Sequence, residues 1–336
     1  MISNKIVFQS LSSGSCGNCY FLHLDDGEGG AGIIIDAGVS MRRLKQELTK
    51  NGFTCDDIDA VLITHDHMDH IRSLGSFCKH VRKPVWATED LHRALSRHSM
   101  TRYEIADYRM ELRGGAWNEI VPGRIWARPF SVPHDATDTS GYAILLDTFK
   151  FVIMTDIGAM TQEALSLAGQ ADAVVIESNY DPDMLENGPY PPELKARISG
   201  GHGHLSNPEC AAAISAFRHE GLRHIFLCHL SEHNNTPELA YRQSLPAAGG
   251  IPLTPLPDRI AAVLPTGLSG PFLPSRAPFR ASNGASKTSG GSGGKTAPAW
   301  YSPALRRRAA PVPLRRRPCS LSKKTVAPSI ILYPAV

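Results

Sequence analysis

The chain concentrates potential metal-binding side chains at Thr64-His65-Asp66-His67-Met68-Asp69-His70, directly after the apolar run Val61-Leu62-Ile63. The apolar run predicts a buried strand, and a strand end fixes the backbone while the next side chains turn into a crevice. Imidazole and carboxylate together suit Zn²⁺, Mn²⁺ or Fe²⁺, and the lack of thiolate argues against a closed structural zinc site. A histidine-rich polar loop without an ion is the alternative, but five potential ligands in six positions favour a metal centre.

The spacing inside this segment separates its side chains into two groups. His65 and His67 lie two positions apart, so they can point to the same side and share one ion. Asp69 and His70 lie on the following turn or helix start, where they can reach a second ion.

Three more potential ligands each follow an apolar run. His134 follows residues 128–133, Asp156 follows residues 150–155 and His229 follows residues 225–228. A carboxylate at Asp156 could bridge two ions. Taken singly, Asp156 reads equally well as a turn residue before Gly158, and the two histidines as capping or surface residues. The repeated pattern favours a common site, because ligands at neighbouring strand ends meet at one rim of a sheet.

Strand-like and helix-like stretches alternate through the first 250 residues. The predicted strands are 6–11, 20–24, 32–36, 60–64, 84–87, 125–132, 141–146, 151–155, 173–178 and 224–229, each short and apolar or β-branched. The predicted helices are 41–51, 89–97, 161–168, 208–220 and 237–245. Strands dominate early and then interleave with helices. This order predicts an α/β protein in which two sheets pack together with helices outside, a four-layer αββα sandwich.

Composition divides the chain at about residue 250. Residues 1–250 hold 22 basic and 31 acidic residues, whereas residues 251–336 hold 13 basic residues and one acidic residue. The second part also contains 14 of the 25 prolines and a Gly/Ser run, so we expect a catalytic domain at 1–250 and a disordered extension at 251–336. Its two arginine triplets could contact phosphates, but a dispensable extension explains the same composition.

No apolar run approaches the length that spans a bilayer, and the first residues lack the pattern of a signal peptide. The seven cysteines are scattered and read as reduced thiols. We therefore expect a cytoplasmic protein with no membrane partner.

The ordered set His65-x-His67-x-Asp69-His70, then a lone His, a lone Asp and a last His, resembles the signature of the metallo-β-lactamase superfamily. Further stretches resemble its YycJ-like bacterial branch, whose members are regarded as 5′-to-3′ DNA exonucleases. These stretches are residues 12–20, 177–181 (Glu-Ser-Asn-Tyr-Asp), 203–207 (Gly-His-Leu-Ser-Asn) and 229–235. The resemblance covers residues 5 to about 245.

The resemblance implies two divalent metal ions, Zn²⁺ or Mn²⁺, and a DNA substrate. The first ion would be held by His65, His67 and His134. The second would be held by Asp69, His70 and His229, with Asp156 bridging the two. Asp36 matches an early Asp that orients a ligand histidine, although a turn Asp before Gly38 is the competing explanation.

His204 is the candidate for phosphate contact and for donating a proton to the leaving group. It lies in a glycine-rich loop just before Ser206-Asn207-Pro208-Glu209, which predicts a capped helix whose N-terminal amides favour an anion. A histidine in a flexible surface loop is the alternative. Asn179 and His233 are expected to contact substrate on the strength of the resemblance alone, and Asp69 is expected to take part in catalysis.

Two other functions compete with a phosphodiesterase. A thioester hydrolase of the glyoxalase-II kind shares the metal motif, but we find no clear site for a glutathione-like thiol. A non-catalytic, metal-stabilised DNA-binding protein would not need so complete a set of ligands. A β-lactamase is disfavoured because those enzymes are exported.

Overall fold

Two mixed sheets form the centre of the fold in the computed structural model, which describes residues 5–25, 27, 29–256 and the backbone of 262–263. In chain order the strands are β1 (Lys5–Ser12), β2 (Cys19–Asp25), β3 (Ala31–Ile35), β4 (Ala60–Leu62), β5 (Val85–Ala87), β6 (Arg109–Glu111), β7 (Asn118–Val121), β8 (Ile125–Ser131), β9 (Ser140–Leu146), β10 (Phe149–Met154), β11 (Ala173–Glu177), β12 (His224–Cys228), β13 (Leu253–Pro255) and β14 (Ala262–Val263). The α-helices are α1 (Met41–Lys50), α2 (Met68–Ile71), α3 (Leu74–His80), α4 (Glu89–Leu95), α5 (Gln162–Ala168), α6 (Pro182–Asn187), α7 (Pro192–Ser199), α8 (Asn207–Phe217) and α9 (Pro237–Ala248).

Sheet topology places several strand ends at one rim. The first sheet has the order β14-β1-β2-β3-β4-β5-β6 and the second β13-β12-β11-β10-β9-β8-β7. β10, β11 and β12 are parallel neighbours, and β8 runs in the same direction because β9 is antiparallel to both β8 and β10. The carboxyl ends of these four strands therefore lie along one edge of the second sheet.

Apolar side chains from both sheets fill the space between them. The Phe8 ring lies 5.0 Å from that of Phe151 and 5.1 Å from that of Phe226, measured between centroids. This contact joins β1 of the first sheet to β10 and β12 of the second. Burial of such large rings contributes most of the driving force for holding two sheets together.

Helices cover the outer face of each sheet. Leu74 and Phe77 of α3 belong to the same buried apolar cluster as Ile34 of β3 in the first sheet. Ile214 of α8 belongs to a second cluster with Val174 of β11 in the second sheet. The order helix, sheet, sheet, helix confirms the four-layer αββα architecture predicted from the sequence.

The capped helix predicted after the glycine-rich loop is present as α8. The Ser206 hydroxyl accepts a hydrogen bond from the backbone N–H of Glu209, and the Glu209 carboxylate accepts from the backbone N–H of Ser206. This reciprocal pair fixes where the helix begins, and it orients the loop that carries His204.

Two predictions about the chain's organisation need adjustment. No element is predicted over 182–199, yet α6 and α7 lie there, and each has a proline in its first turn, where a missing N–H costs nothing. The fold also continues past residue 250, since β13 extends the second sheet beside β12 and β14 pairs with β1. Proline is tolerated in β13 because it lies at a sheet edge. Residues 264–336, most of the extension predicted to be disordered, lie outside the described residues.

Within the described part of the chain, no helix has the length and apolar character needed to cross a membrane.

Candidate metal centre

Turns after the strand ends aim the polar side chains of the site. Asp36 follows β3, Asp156 follows β10 and His229 follows β12, and all three adopt positive φ (61°, 54° and 53°). Non-glycine residues rarely adopt this left-handed conformation, which costs free energy and tends to occur at functional sites. Here it turns the chain sharply at the end of each strand, so that the side chain enters the crevice.

The first donor group consists of three histidines. Ring nitrogens of His65, His67 and His134 all lie within 4.8 Å of one another. His134 Nε2 is 3.3 Å from His67 Nδ1, while His134 Nδ1–H donates to the carbonyl of Gly203 at 2.9 Å. That bond fixes the His134 tautomer and leaves Nε2 facing the centre of the group.

The second donor group combines Asp69, His70 and His229, whose ligand atoms also lie within 4.8 Å of one another. Asp69 Oδ2 is 3.5 Å from His70 Nε2 and 3.7 Å from His229 Nε2. Both histidines are buried, whereas Asp69 is partly exposed to the crevice. The structure thus brings together the two groups that the sequence analysis distinguished.

Asp156 lies between the two groups. Its Oδ2 is 3.2 Å from His70 Nε2, and its Oδ1 is 3.4 Å from His229 Nε2 and 3.7 Å from His134 Nε2. The Thr155 hydroxyl donates to Oδ2 at 2.7 Å and limits rotation of the carboxylate. One carboxylate therefore faces donors of both groups.

Asp36 contacts the centre through His70. The buried Asp36 Oδ2 accepts a hydrogen bond from His70 Nδ1–H at 2.7 Å. The same carboxylate accepts from the backbone N–H and the hydroxyl of Thr64, both at 2.8 Å, and that hydroxyl lies 3.0 Å from His65 Nδ1. Asp36 thus orients His70 directly and His65 through Thr64, so that the Nε2 atoms face inward.

Glu177 is a site residue that the sequence analysis did not identify. Its buried Oε1 accepts hydrogen bonds from the Nδ1–H groups of His204 and His229, each at 2.8 Å, and its Oε2 accepts from the backbone N–H of Ile157 at 2.7 Å. The rule of an apolar strand followed by one donor fits Glu177, the last residue of β11, and could have found it. One carboxylate therefore sets the orientation of two histidines.

Asn18 was also missed, because its contacts span long separations in sequence. Its Nδ2 lies 3.2 Å from Asp69 Oδ2 and 2.9 Å from His70 Nε2, and its backbone N–H donates to the Asp69 carbonyl at 2.7 Å. The Gly38 N–H donates to the Asn18 carbonyl at 2.9 Å. Three separate segments are thus held against the second donor group.

Gly38 allows this close approach. A Cβ atom at position 38 would lie 1.6 Å from the Asp69 carbonyl oxygen. We expect Gly38→Ala to lower the free energy of unfolding by about 1–3 kcal/mol, as overpacking does, and to shift Asp69. Thermal unfolding and metal-binding titration would check both effects. Gly114→Ala is the control, because nothing lies near a Cβ at that position; equal Tm values for the two variants would contradict the expectation.

The donor set fits a divalent cation. Nε2 of His65 and Nε2 of His229 are buried and have no hydrogen-bond partner among the described residues. An unsatisfied buried polar atom costs about 1–3 kcal/mol, so each of these two atoms needs a partner. His65 belongs to the first donor group and His229 to the second, and a cation bound at each group would accept the lone pair there. Imidazole with carboxylate is the ligand chemistry of Zn²⁺ and Mn²⁺.

Electrostatics keep the carboxylates of the centre charged. Burial raises the pKa of Asp156, but His229 and His70 outweigh it and hold the pKa well below its ordinary value. Burial lowers the pKa of His65 well below its ordinary value, and the neighbouring His70 adds to the effect. His65 is thus in the neutral form that metal binding requires. Burial also lowers the pKa values of His70 and His229, but Asp156 and the other carboxylates outweigh it and raise both, so a bound cation would displace their protons.

A cavity of about 260 Å³ opens onto the two donor groups. His204 and Asn179 line it. Asn179 Nδ2 donates to the His229 carbonyl at 2.8 Å, so this side chain also supports a donor of the centre. His233 is exposed and packs its ring 6.0 Å from that of Tyr190, which lines the cavity.

Comparison with known proteins identifies the family of the chain. A model of the Beta-lactamase superfamily domain matches residues 32–230. Exodeoxyribonuclease WalJ of Streptococcus pneumoniae is 31% identical over 234 residues, which are 70% of this chain and 85% of that protein. Exodeoxyribonuclease YycJ of Bacillus anthracis is 32% identical over 233 residues, which are 69% of this chain and 85% of that protein.

Solved structures share the fold at low identity. The metallo-β-lactamase fold protein YhfI from Bacillus subtilis superposes with a TM-score of 0.57 at 14% identity, over 77% of this chain and 99% of that one. The short form of human tRNase Z gives 0.52 at 17% identity, over the same shares. From the matched domain and the two relatives above 30% identity, the chain belongs to the metallo-β-lactamase superfamily, in the branch that contains WalJ and YycJ.

Proposed function

We propose that this protein is a metal-dependent phosphodiesterase that degrades DNA as a 5′-to-3′ exonuclease. The observation that carries the proposal is the convergence of seven donors, with the Asp156 carboxylate 3.2–3.7 Å from histidines of both groups, next to a cavity lined by His204. The relatives named exodeoxyribonucleases support DNA as the substrate.

Two divalent ions, Zn²⁺ or Mn²⁺, would occupy the centre. His65, His67 and His134 would hold the first, Asp69, His70 and His229 the second, and Asp156 would serve both. When bound, such a pair activates water as a nucleophile near neutral pH and neutralises charge on a phosphoryl oxygen.

The chain's own residues complete the reaction. The Nδ1–H group of His204 donates a hydrogen bond to Glu177 Oε1 at 2.8 Å, which leaves Nε2 of His204 as the atom that can donate to the leaving oxygen. Burial lowers the pKa of His204, but the charge and hydrogen bond of Glu177 outweigh it and raise the pKa. His204 therefore retains the proton that a departing alkoxide needs.

A labelled-substrate panel tests the proposal. The full-length chain, stripped with a chelator and reconstituted with Mn²⁺ or Zn²⁺, is incubated with 5′- and 3′-labelled DNA and RNA and with a glutathione thioester. We expect mononucleotide release from DNA, starting at the 5′ end. Turnover of the thioester with intact DNA would overturn the proposal in favour of a glyoxalase-II-like activity.

Replacing Glu177 with glutamine tests its positioning role. We expect a loss in kcat/KM of about 10–100-fold, the usual cost of removing a residue that orients metal ligands, together with weaker metal binding. Glutamine offers one acceptor oxygen without charge, so the two Nδ1–H groups can no longer share a charged acceptor. Steady-state kinetics and calorimetric metal titration measure the two losses.

The matched control is Glu163→Gln, since Glu163 pairs with Arg128 2.6 Å away outside the cavity. It should retain activity. A Glu177→Gln enzyme with unaltered kinetics and metal affinity would show that the carboxylate does not position the histidines.

A further inference from the structure

One part of the cavity lining, here called its wall, differs in chemistry from the metal donors. Helix α7 and the turn before it contribute Tyr190, Leu194, Arg197 and Ile198 to this wall. No residue of α7 is fully buried, and Leu194 and Ile198 are only half-buried. Apolar and aromatic side chains do not bind a bare phosphate, but they can contact the sugar and base of a nucleotide.

The backbone on both sides of Tyr190 is conformationally restricted. This residue lies in the sequence Gly188-Pro189-Tyr190-Pro191-Pro192, so prolines flank it on both sides and restrict its conformational freedom. The ring packs at 83° to that of His233, with centroids 6.0 Å apart. A half-buried aromatic ring on a restricted backbone, lining a cavity, binds a base with little loss of entropy.

Arg197 brings a positive charge to the same wall. Its Nε donates to Asp135 Oδ2, and Asp135 Oδ1 lies 3.5 Å from His134 Nε2 and 3.8 Å from His67 Nε2. This bond uses one of the five N–H donors of a guanidinium, so the others can bind a phosphate. Among the described residues that line the cavity, Arg197 is the only arginine or lysine.

From this arrangement we propose a mononucleotide subsite, in which Tyr190 stacks on the base of the terminal nucleotide and Arg197 binds its phosphate. The inference rests on the proposed function, because it names how that site recognises its substrate. The cavity volume of about 260 Å³ suits one nucleotide rather than a duplex. Such a subsite recognises a chain end and tolerates any base, since every base has a face that can stack.

Binding of two small ligands separates the two contacts. The full-length, metal-reconstituted protein is titrated with deoxyadenosine 5′-monophosphate and with deoxyribose 5-phosphate, which lacks the base. We expect Tyr190→Ala to weaken binding of the nucleotide at least about fivefold and to leave the sugar phosphate within about twofold. Arg197→Ala should weaken both ligands alike, because both carry the phosphate.

Matched controls and a second substitution guard against misfolding. Tyr103→Ala removes an exposed tyrosine, and Arg93→Ala removes an exposed arginine paired with Asp90; neither lines the cavity. Both should bind the two ligands like the wild type. Tyr190→Phe keeps the ring and should retain nucleotide binding, whereas Tyr190→Leu keeps bulk without the aromatic face and should lose it.

The outcomes separate this subsite from the proposed function. The subsite is overturned if Tyr190→Ala leaves the affinity for the nucleotide unchanged, or if it lowers the affinity for both ligands equally. Either result counts even if the protein degrades DNA. Binding that depends on Tyr190 in a protein that cleaves no nucleic acid overturns the proposed function and leaves the subsite standing.

Discussion

Replacing His70 with alanine is expected to reduce nucleotide release from a 5′-labelled DNA duplex to the level of the chelated enzyme. His70 Nε2 lies 3.2 Å from Asp156 Oδ2 and 3.5 Å from Asp69 Oδ2, so it faces both carboxylates of the centre. Loss of a residue that merely orients a ligand costs about 10–100-fold, and loss of the donor itself should exceed that range. Nucleotide release and bound metal per chain, measured on the same preparation, would check the result.

The control for this substitution is His202→Ala. His202 is exposed in the glycine-rich loop and does not line the cavity, so its loss should leave release unchanged. Because His70 is buried against Asp36, its removal takes away one of the three hydrogen bonds that this buried carboxylate accepts. Thermal unfolding must therefore accompany the assay, and His229→Ala provides a second test of the same donor group. Full activity in both variants, with metal still bound, would disprove the proposed centre.

Most of the site was predicted from one pattern in the sequence, a potential metal ligand at the end of an apolar strand. A donor that directly follows an apolar strand is visible in the sequence, and the structure places His134, Asp156 and His229 beside the segment from His65 to His70. The contacts that orient these donors are not visible, because they join residues far apart in the chain. The approach of Asn18 to Asp69 spans 51 positions and depends on a glycine that no local pattern marks as special.

The α6–α7 segment shows why local patterns miss part of the fold. Its prolines indicate a loop when each is taken as a helix breaker, yet Pro182 and Pro192 begin helices, where a missing N–H costs nothing. α7 buries no residue fully, so it carries little of the apolar periodicity that marks a core helix. The segment that lines one part of the cavity is therefore among the parts of the fold that the sequence did not predict, together with α3, β6 and β7.

Replacing His204 with alanine should lower kcat on a normal phosphodiester by about 10²–10⁴-fold, the usual contribution of a general acid. The reason is geometric. The Nδ1–H group of His204 donates to Glu177 at 2.8 Å, and the ring lines the cavity with its centroid 5.2 Å from that of His134 and 5.3 Å from that of His229. The variant should retain its bound metal, since His204 belongs to neither of the two donor groups assigned to the ions. Single-turnover kinetics with a metal assay would measure both.

A substrate with sulfur in place of the leaving oxygen decides whether His204 acts as the proton donor. A thiol has a pKa near 8.5, so a thiolate departs without a proton where an alkoxide cannot. If His204 supplies that proton, the loss caused by His204→Ala should shrink to less than about tenfold on the sulfur-bridged DNA, because the step that needs an acid is gone. If His204 only binds the phosphate, His204→Ala should lower kcat by the same factor on both substrates. His202→Ala, run in parallel, should match the wild type on each, so that a difference between the two substrates can be assigned to His204.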